Sequence, residues 1–138
     1  MKISARVQNS QNDHQITLDT DGAAHTLVIA PKATGFGSSV NGGELLFLAL
    51  ATCYCNDLYR EAAKRGIRVE GVEVEIEGEF GAAGERAKNV TYRAKVTAAA
   101  SEEAVRDLMR HTDTVAEIQN TLRAGTPVTL SRVEVVSV

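Results

Sequence analysis

Cys53 and Cys55 are the only thiols in the chain, separated by one residue. A free cysteine inside an apolar helix is commonly a small core residue. The competing use is a thiolate nucleophile or a peroxide-reactive thiol, which needs access and a charged partner. Glu44 lies nine residues before Cys53. At about 100° and 1.5 Å per helical residue, it sits on the opposite face, roughly 13 Å away along the axis. Glu44 is therefore poorly placed to serve the Cys53 of its own helix, and better placed to serve a site built with a second chain. Cys55 points about 160° away from Cys53 on an intact helix, so a disulfide between the two is not expected. His14, His25 and His111 lie far apart. Their spacing is not that of a ligand set, so no metal site is expected, and each reads as structural or solvent-facing. The glycine-rich stretch 35–43 lacks the phosphate-loop pattern, and no G-x-G-x-x-G follows a strand. No cofactor is expected.

The elements that must hold these residues follow from periodicity. Ile3, Ala5 and Val7 alternate with polar residues, as do Ile16 and Leu18. Asp21-Gly22 is a hairpin signal, and His25, Leu27 and Ile29 can continue the sheet, so an antiparallel meander is expected. The run LLFLALATCYCN, residues 45–56, holds no charge. It predicts a helix from about Gly43 to Arg65 that is apolar on every face in its first half, ending at Gly66. Asp57, Arg60, Glu61, Lys64 and Arg65 give its second half a solvent-exposed character. Val72, Val74 and Ile76 then alternate with Glu73, Glu75 and Glu77, while Val90, Tyr92, Ala94 and Val96 alternate with Thr91, Arg93, Lys95 and Thr97. Pairing these strands sets acidic residues beside basic ones on a solvated face. Ser101-Glu102-Glu103 opens a second helix, a short helical piece follows over 115–122, and Pro127 introduces a last strand over 128–138. The order predicts an α+β fold with helices segregated from antiparallel sheet.

The chain is 138 residues long, 43% hydrophobic and 24% charged, which fits one soluble domain, 1–138, with a real core. A net charge of −3 gives no electrostatic footprint for nucleic acid. No apolar run approaches the roughly 20 residues that span a bilayer. The first residues show no secretion signal, so a cytoplasmic protein without a membrane partner is expected. A central helix that is apolar all round needs more cover than one small sheet provides, so a homodimer is expected.

The segment Gly43-Glu44-Leu45-Leu46-Phe47-Leu48-Ala49-Leu50-Ala51-Thr52-Cys53 resembles the helix motif of the OsmC/Ohr superfamily, the osmotically inducible protein C and organic hydroperoxide resistance proteins. Gly66 to Val74 resembles the passage from that helix into the next strand, and Asn120-Thr121-Leu122 the end of the family's second motif, C-P-[IV]-S-x-T-L. The resemblance spans residues 1–138. It implies an intertwined homodimer of antiparallel sheets wrapped around long central helices. It also implies a stress-response role, with organic hydroperoxides reduced by a reactive cysteine at the position of Cys53.

Other parts of the family pattern are altered. Ala116 stands where the resolving cysteine belongs, and Glu117 where its proline belongs. Gly43 occupies the position of the supporting glutamate of the hydroperoxide reductases, while Glu44 matches the glutamate of the broader OsmC-like group. The resemblance also implies an arginine in the loop after the first strand that supports the reactive thiolate, but the loop 8–14 contains none, and Arg6 lies in the strand pattern. The resemblance thus implies a one-cysteine hydroperoxide reductase using an external thiol reductant. The alternative is a non-catalytic dimer of the same fold that binds a small apolar or acidic molecule in its interface cleft. Cys55 remains a secondary candidate thiol.

Overall fold

The computed structural model describes residues 1–138. Two compact units, Met1–Leu46 and Phe47–Val138, divide the chain. In the first, β1 (Ile3–Ser10), β2 (Asp13–Thr20) and β3 (Ala23–His25) form an antiparallel sheet in that order. The turn between β2 and β3 is the Asp21-Gly22 pair. Both residues have positive φ, 51° and 85°, the backbone that a two-residue hairpin loop requires. Leu27 and Ile29 do not extend the ladder. The chain leaves the sheet after His25 toward Pro31, which bridges Ser38 instead.

Helix α1 (Gly42–Lys64) begins with a reciprocal cap. The Glu44 N–H donates to Asn41 Oδ1 at 2.8 Å, and the Asn41 N–H donates to Glu44 Oε1 at 3.4 Å. This capping box satisfies two donors that the helix start would otherwise leave unpaired. Beyond the helix, Gly66 takes a left-handed φ of 66°.

The second unit packs the C-terminal half of α1 against β4 (Arg68–Glu79), β5 (Lys88–Ala99) and α2 (Glu102–Val115). Tyr54, Leu58 and Ala62, one residue per turn, meet Leu108 of α2 in the core, with Val72, Val74, Tyr92, Ala94 and Val96 around them. The Tyr54 and Tyr92 rings meet edge to face at 5.2 Å, and the Tyr54 hydroxyl donates to the Met109 carbonyl at 3.0 Å. On the outer face of the sheet Glu75 pairs with Arg93 in register, at 2.6 Å. This is the solvated acidic-basic face that the alternation predicts. Gly78 of β4 lies under Phe47, where a Cβ would stand 2.8 Å from the ring, so glycine allows the Phe47–Phe80 stack to close.

Ser101 caps α2 by accepting from the Ala104 N–H. The backbone then breaks at Ala116, which is extended (φ −71°, ψ 108°), before α3 (Glu117–Ala124). The short helical piece expected over 115–122 therefore begins two residues later.

Two expectations are corrected here. The first concerns the second half of α1: Asp57 and Glu61, read from the sequence as solvent-facing, are 6% and 5% exposed, alongside Leu50 and Tyr54, which are buried. The reason is that β4, β5 and α2 cover the C-terminal half of the helix. The last strand does not form either. Residues 126–138 have no secondary structure, and Val128, Val135 and Val136 are exposed. Period-two alternation makes a strand only where a neighbouring ladder satisfies its backbone, and neither sheet of the chain pairs with this segment.

Leu58 is fully buried at the centre of this packing. Leu58→Ala is expected to cost about 2–5 kcal/mol through lost burial and a residual cavity. Urea unfolding of the variant measures this, and an unchanged midpoint would show that the α1–α2 contact is not the stabilising core.

Candidate functional site

Cys53, Asp57 and Glu61 follow one another at intervals of four along α1, on the row beside Tyr54, Leu58 and Ala62. The core stripe therefore fixes the direction in which the polar row points. That row faces the start of α3. The two helices are joined by the Gln119 amide, which donates to the Leu50 carbonyl at 3.0 Å.

Cys53 is half-buried and reduced. Its thiol donates to Asp57 Oδ2 at 3.4 Å and lies 3.8 Å from Glu117 Oε2. The other oxygen of each carboxyl group is held by one guanidinium. Arg60 Nη1 is 2.9 Å from Asp57 Oδ1 and 3.3 Å from Glu117 Oε1. Arg60 Nε also donates to Glu61 Oε1 at 2.9 Å. The site is thus one thiol, two carboxyls and an arginine, each carboxyl offering one oxygen to the cation and the other to sulfur.

The electrostatics follow from that count. Burial pushes the Cys53 thiol above its ordinary value. A hydrogen bond from the Ile118 backbone N–H opposes this, while the Asp57 hydrogen bond and the Asp57 and Glu117 charges reinforce it. Burial also raises Asp57, and the neighbouring Glu117 carboxyl raises it further. Glu117 moves down, held first by its own backbone N–H, then by Asp57 and Arg60. Within the pair, Asp57 is the carboxyl pushed up and Glu117 the one pushed down. The sulfur and the two carboxylate oxygens lie within 4.8 Å of one another. They are donor types that chelate a divalent cation, and Arg60 holds the opposite oxygen of each carboxyl.

The other sequence candidates lie elsewhere. Cys55 lines a shallow depression with Ala51, Thr52, Asn56, Val72 and Val74, away from the carboxyls. Glu44 is engaged in the capping box at the start of α1. Ala116 is fully buried at the α2–α3 break and brings no thiol. His111 contacts Glu61 Oε2 at 3.3 Å.

Sequence reasoning missed Asp57 and Arg60, although their spacing of four and seven from Cys53 is a helical-face signal. It noted Glu117 only as a substitution for proline.

The sequence model of the OsmC-like protein family matches residues 35–131. The chain belongs to the OsmC-like family. Solved structures share the fold. An OsmC-like protein from Mycoplasma pneumoniae superimposes with a TM-score of 0.60 at 20% identity, over 88% of this chain and 86% of that one. An OsmC-like protein of unknown function from Vibrio cholerae gives 0.59 at 17% identity, over 88% and 93%. An OsmC-like hydroperoxide resistance protein from Jannaschia sp. CCS1 gives 0.54 at 15% identity, over 96% and 92%. No curated protein sequence matches this OsmC-like chain. No helix is long and apolar enough to cross a membrane.

Glu61 closes the polar row. Hydrogen bonds from Lys64 and Arg60 hold its carboxyl down from 4.5 to about 2, against the effect of burial. A carboxyl depressed on folding stabilises the protein above its unfolded value and loses that contribution as pH falls toward the folded value. The stability difference between wild type and Glu61→Gln is therefore expected to hold steady above pH 4.5 and to close between 4.5 and about 2. Urea unfolding across that range checks it, and a gap that does not change with pH would contradict it.

Proposed function

We propose that this OsmC-like protein is a thiol-dependent organic hydroperoxide reductase with Cys53 as its reactive residue, acting as a homodimer in the stress response of a cytoplasm. The observation that carries this reading is the Cys53 environment: a half-buried thiol in contact with a proton acceptor, facing a backbone N–H, with an arginine one residue layer away. The hydroperoxide resistance protein of Jannaschia, which shares the fold, supports the same chemistry. Ala116 leaves no internal thiol at the expected position, so an external thiol returns the oxidised Cys53 to its reduced form. Cys55, in its separate depression, is not the partner thiol of Cys53 in this reading.

The homodimer is supported by apolar surface that one chain leaves open. Ile3 and Val7 of β1 are 63% and 60% exposed, and Val128 and Val136 are more so. Soluble monomers rarely leave so much apolar surface uncovered.

A second reading is favoured by the charge count. Burial, with two carboxyls reinforcing it, raises the Cys53 thiol rather than lowering it, the opposite of an activated nucleophile. On that reading the dimer is a non-catalytic binder of a small apolar or acidic molecule.

Hydroperoxide consumption with a dithiol reductant, comparing wild type with Cys53→Ser, separates the two. Slow turnover that depends on Cys53 is expected, on the order of 100-fold below a site with a full set of charged donors. Equal rates in the two proteins would favour the binder. Sedimentation at micromolar concentration is expected to show a dimer, and a folded monomer would remove the assembly from the proposal.

A further inference from the structure

The geometry points to Asp57 as the proton carrier of the Cys53 reaction: its Oδ2 takes the thiol proton and returns it to the alkoxide that leaves the hydroperoxide. This assignment rests on the peroxidase reading of Cys53 and extends it to a residue that the family motif does not carry.

Three observations support it. First, the Cys53 thiol donates to Asp57 Oδ2 at 3.4 Å, four residues along the same helix, so the contact is set by helical geometry. Second, Asp57 is 6% exposed and its Oδ1 is anchored by Arg60 at 2.9 Å. Its carboxyl is thus fixed, with Oδ2 left to the sulfur. Third, the cluster limits where the proton can go. Asp57, Glu117 and Cys53 face a single guanidinium, Arg60 Nη1. Releasing the thiol proton to solvent would add a third negative charge against one cation. Passing it to Asp57 leaves the total charge unchanged, and burial together with Glu117 already favours the protonated form of Asp57.

The proton moves from Sγ to Asp57 Oδ2. A sulfur lone pair attacks the distal oxygen of ROOH, the S–O bond forms, and the O–O bond breaks with its electron pair on the alkoxide. The alkoxide takes the proton from Asp57 and leaves as ROH. Sulfur is oxidised by two electrons to sulfenic acid, and the peroxide is reduced. Two equivalents of an external thiol then return Cys53 to the thiol, releasing a disulfide and water.

The role differs from a structural one in what it does to two rates. Asp57→Asn removes a negative charge beside the sulfur, so Cys53 ionises more readily and alkylation by iodoacetamide speeds up. The same change removes the proton for the leaving group, so sulfenic acid formation with cumene hydroperoxide slows, on the order of 100-fold for loss of a general acid–base group. Both rates are measured at Cys53 on the full chain, in single turnover without reductant. Glu117→Gln removes a charge of the cluster but keeps the Asp57 carboxyl, so alkylation is expected to rise and the peroxide rate to fall by less than in Asp57→Asn. Asp57→Glu keeps a carboxyl and is expected to recover part of the peroxide rate. Opposite movement of the two rates in Asp57→Asn supports the assignment. A peroxide rate that is unchanged or rises with alkylation overturns it, while Cys53 remains the reactive residue. Wild-type protein that forms no sulfenic acid overturns the peroxidase reading and the carrier role together. Should Asp57→Asn not fold, the wild-type step decides: a normal solvent deuterium isotope effect is expected, and its absence overturns the proposal.

Discussion

The rotation of α1 about its own axis is the constraint on which the site depends. Tyr54, Leu58 and Ala62 are buried against Leu108 and the inner face of β4 and β5. Burying that stripe leaves one rotational setting for the helix, because turning it would expose Leu58 and place polar residues in the core. The adjacent row, Cys53, Asp57 and Glu61, is then aimed at the start of α3. Gln119, bonded to the Leu50 carbonyl, holds α3 at the height where Glu117 and the Ile118 N–H face the sulfur. Apolar packing thus sets the geometry, and polar groups fill the positions it defines.

Electrostatics then determines what that geometry can do. A buried thiol beside two carboxyls resists ionisation, whereas a cation nearby favours it. Here the cation is shared. Arg60 contacts Asp57, Glu61 and Glu117 at once, so its charge is divided among three acids before it reaches the sulfur. Lys64 relieves part of that demand by pairing with Glu61 at 2.9 Å. The resulting site disfavours the Cys53 thiolate and sets the Asp57 carboxyl beside the sulfur. This differs from a thiol held permanently as thiolate. Replacing the second-motif proline with Glu117 contributes to this state, since it adds one of the two carboxyls.

The fold was legible where a local rule and its tertiary context agreed. Asp21-Gly22 read as a two-residue hairpin because both residues tolerate positive φ, and the backbone there has that conformation. The acidic face beside the basic face followed from alternation in both strands, and the structure sets Glu73 opposite Lys95 and Glu75 opposite Arg93. The segment over 128–138 alternates as well, but a strand needs a partner ladder, and that information is not in its own residues. The burial of α1 was misjudged for a similar reason. Charges at Asp57 and Glu61 read as solvent-facing, whereas the structure buries both and satisfies them with Arg60, Lys64 and His111. Cys53 is singled out by its family motif. Asp57 and Arg60, on the same helix face, are not, because the motif points to Glu44 and to a loop arginine instead. Glu117 comes from another helix, and only the α2–α3 break at Ala116 brings it to the sulfur.

The central claim is that oxidising chemistry is confined to one of two thiols by the surroundings this fold provides. Treating the native protein with one equivalent of an organic hydroperoxide, without reductant, and trapping sulfenic acid with a dimedone-type reagent before peptide mass spectrometry tests it most directly. The adduct is predicted on Cys53 and not on Cys55. An adduct on Cys55 alone, or on neither cysteine, would contradict the account.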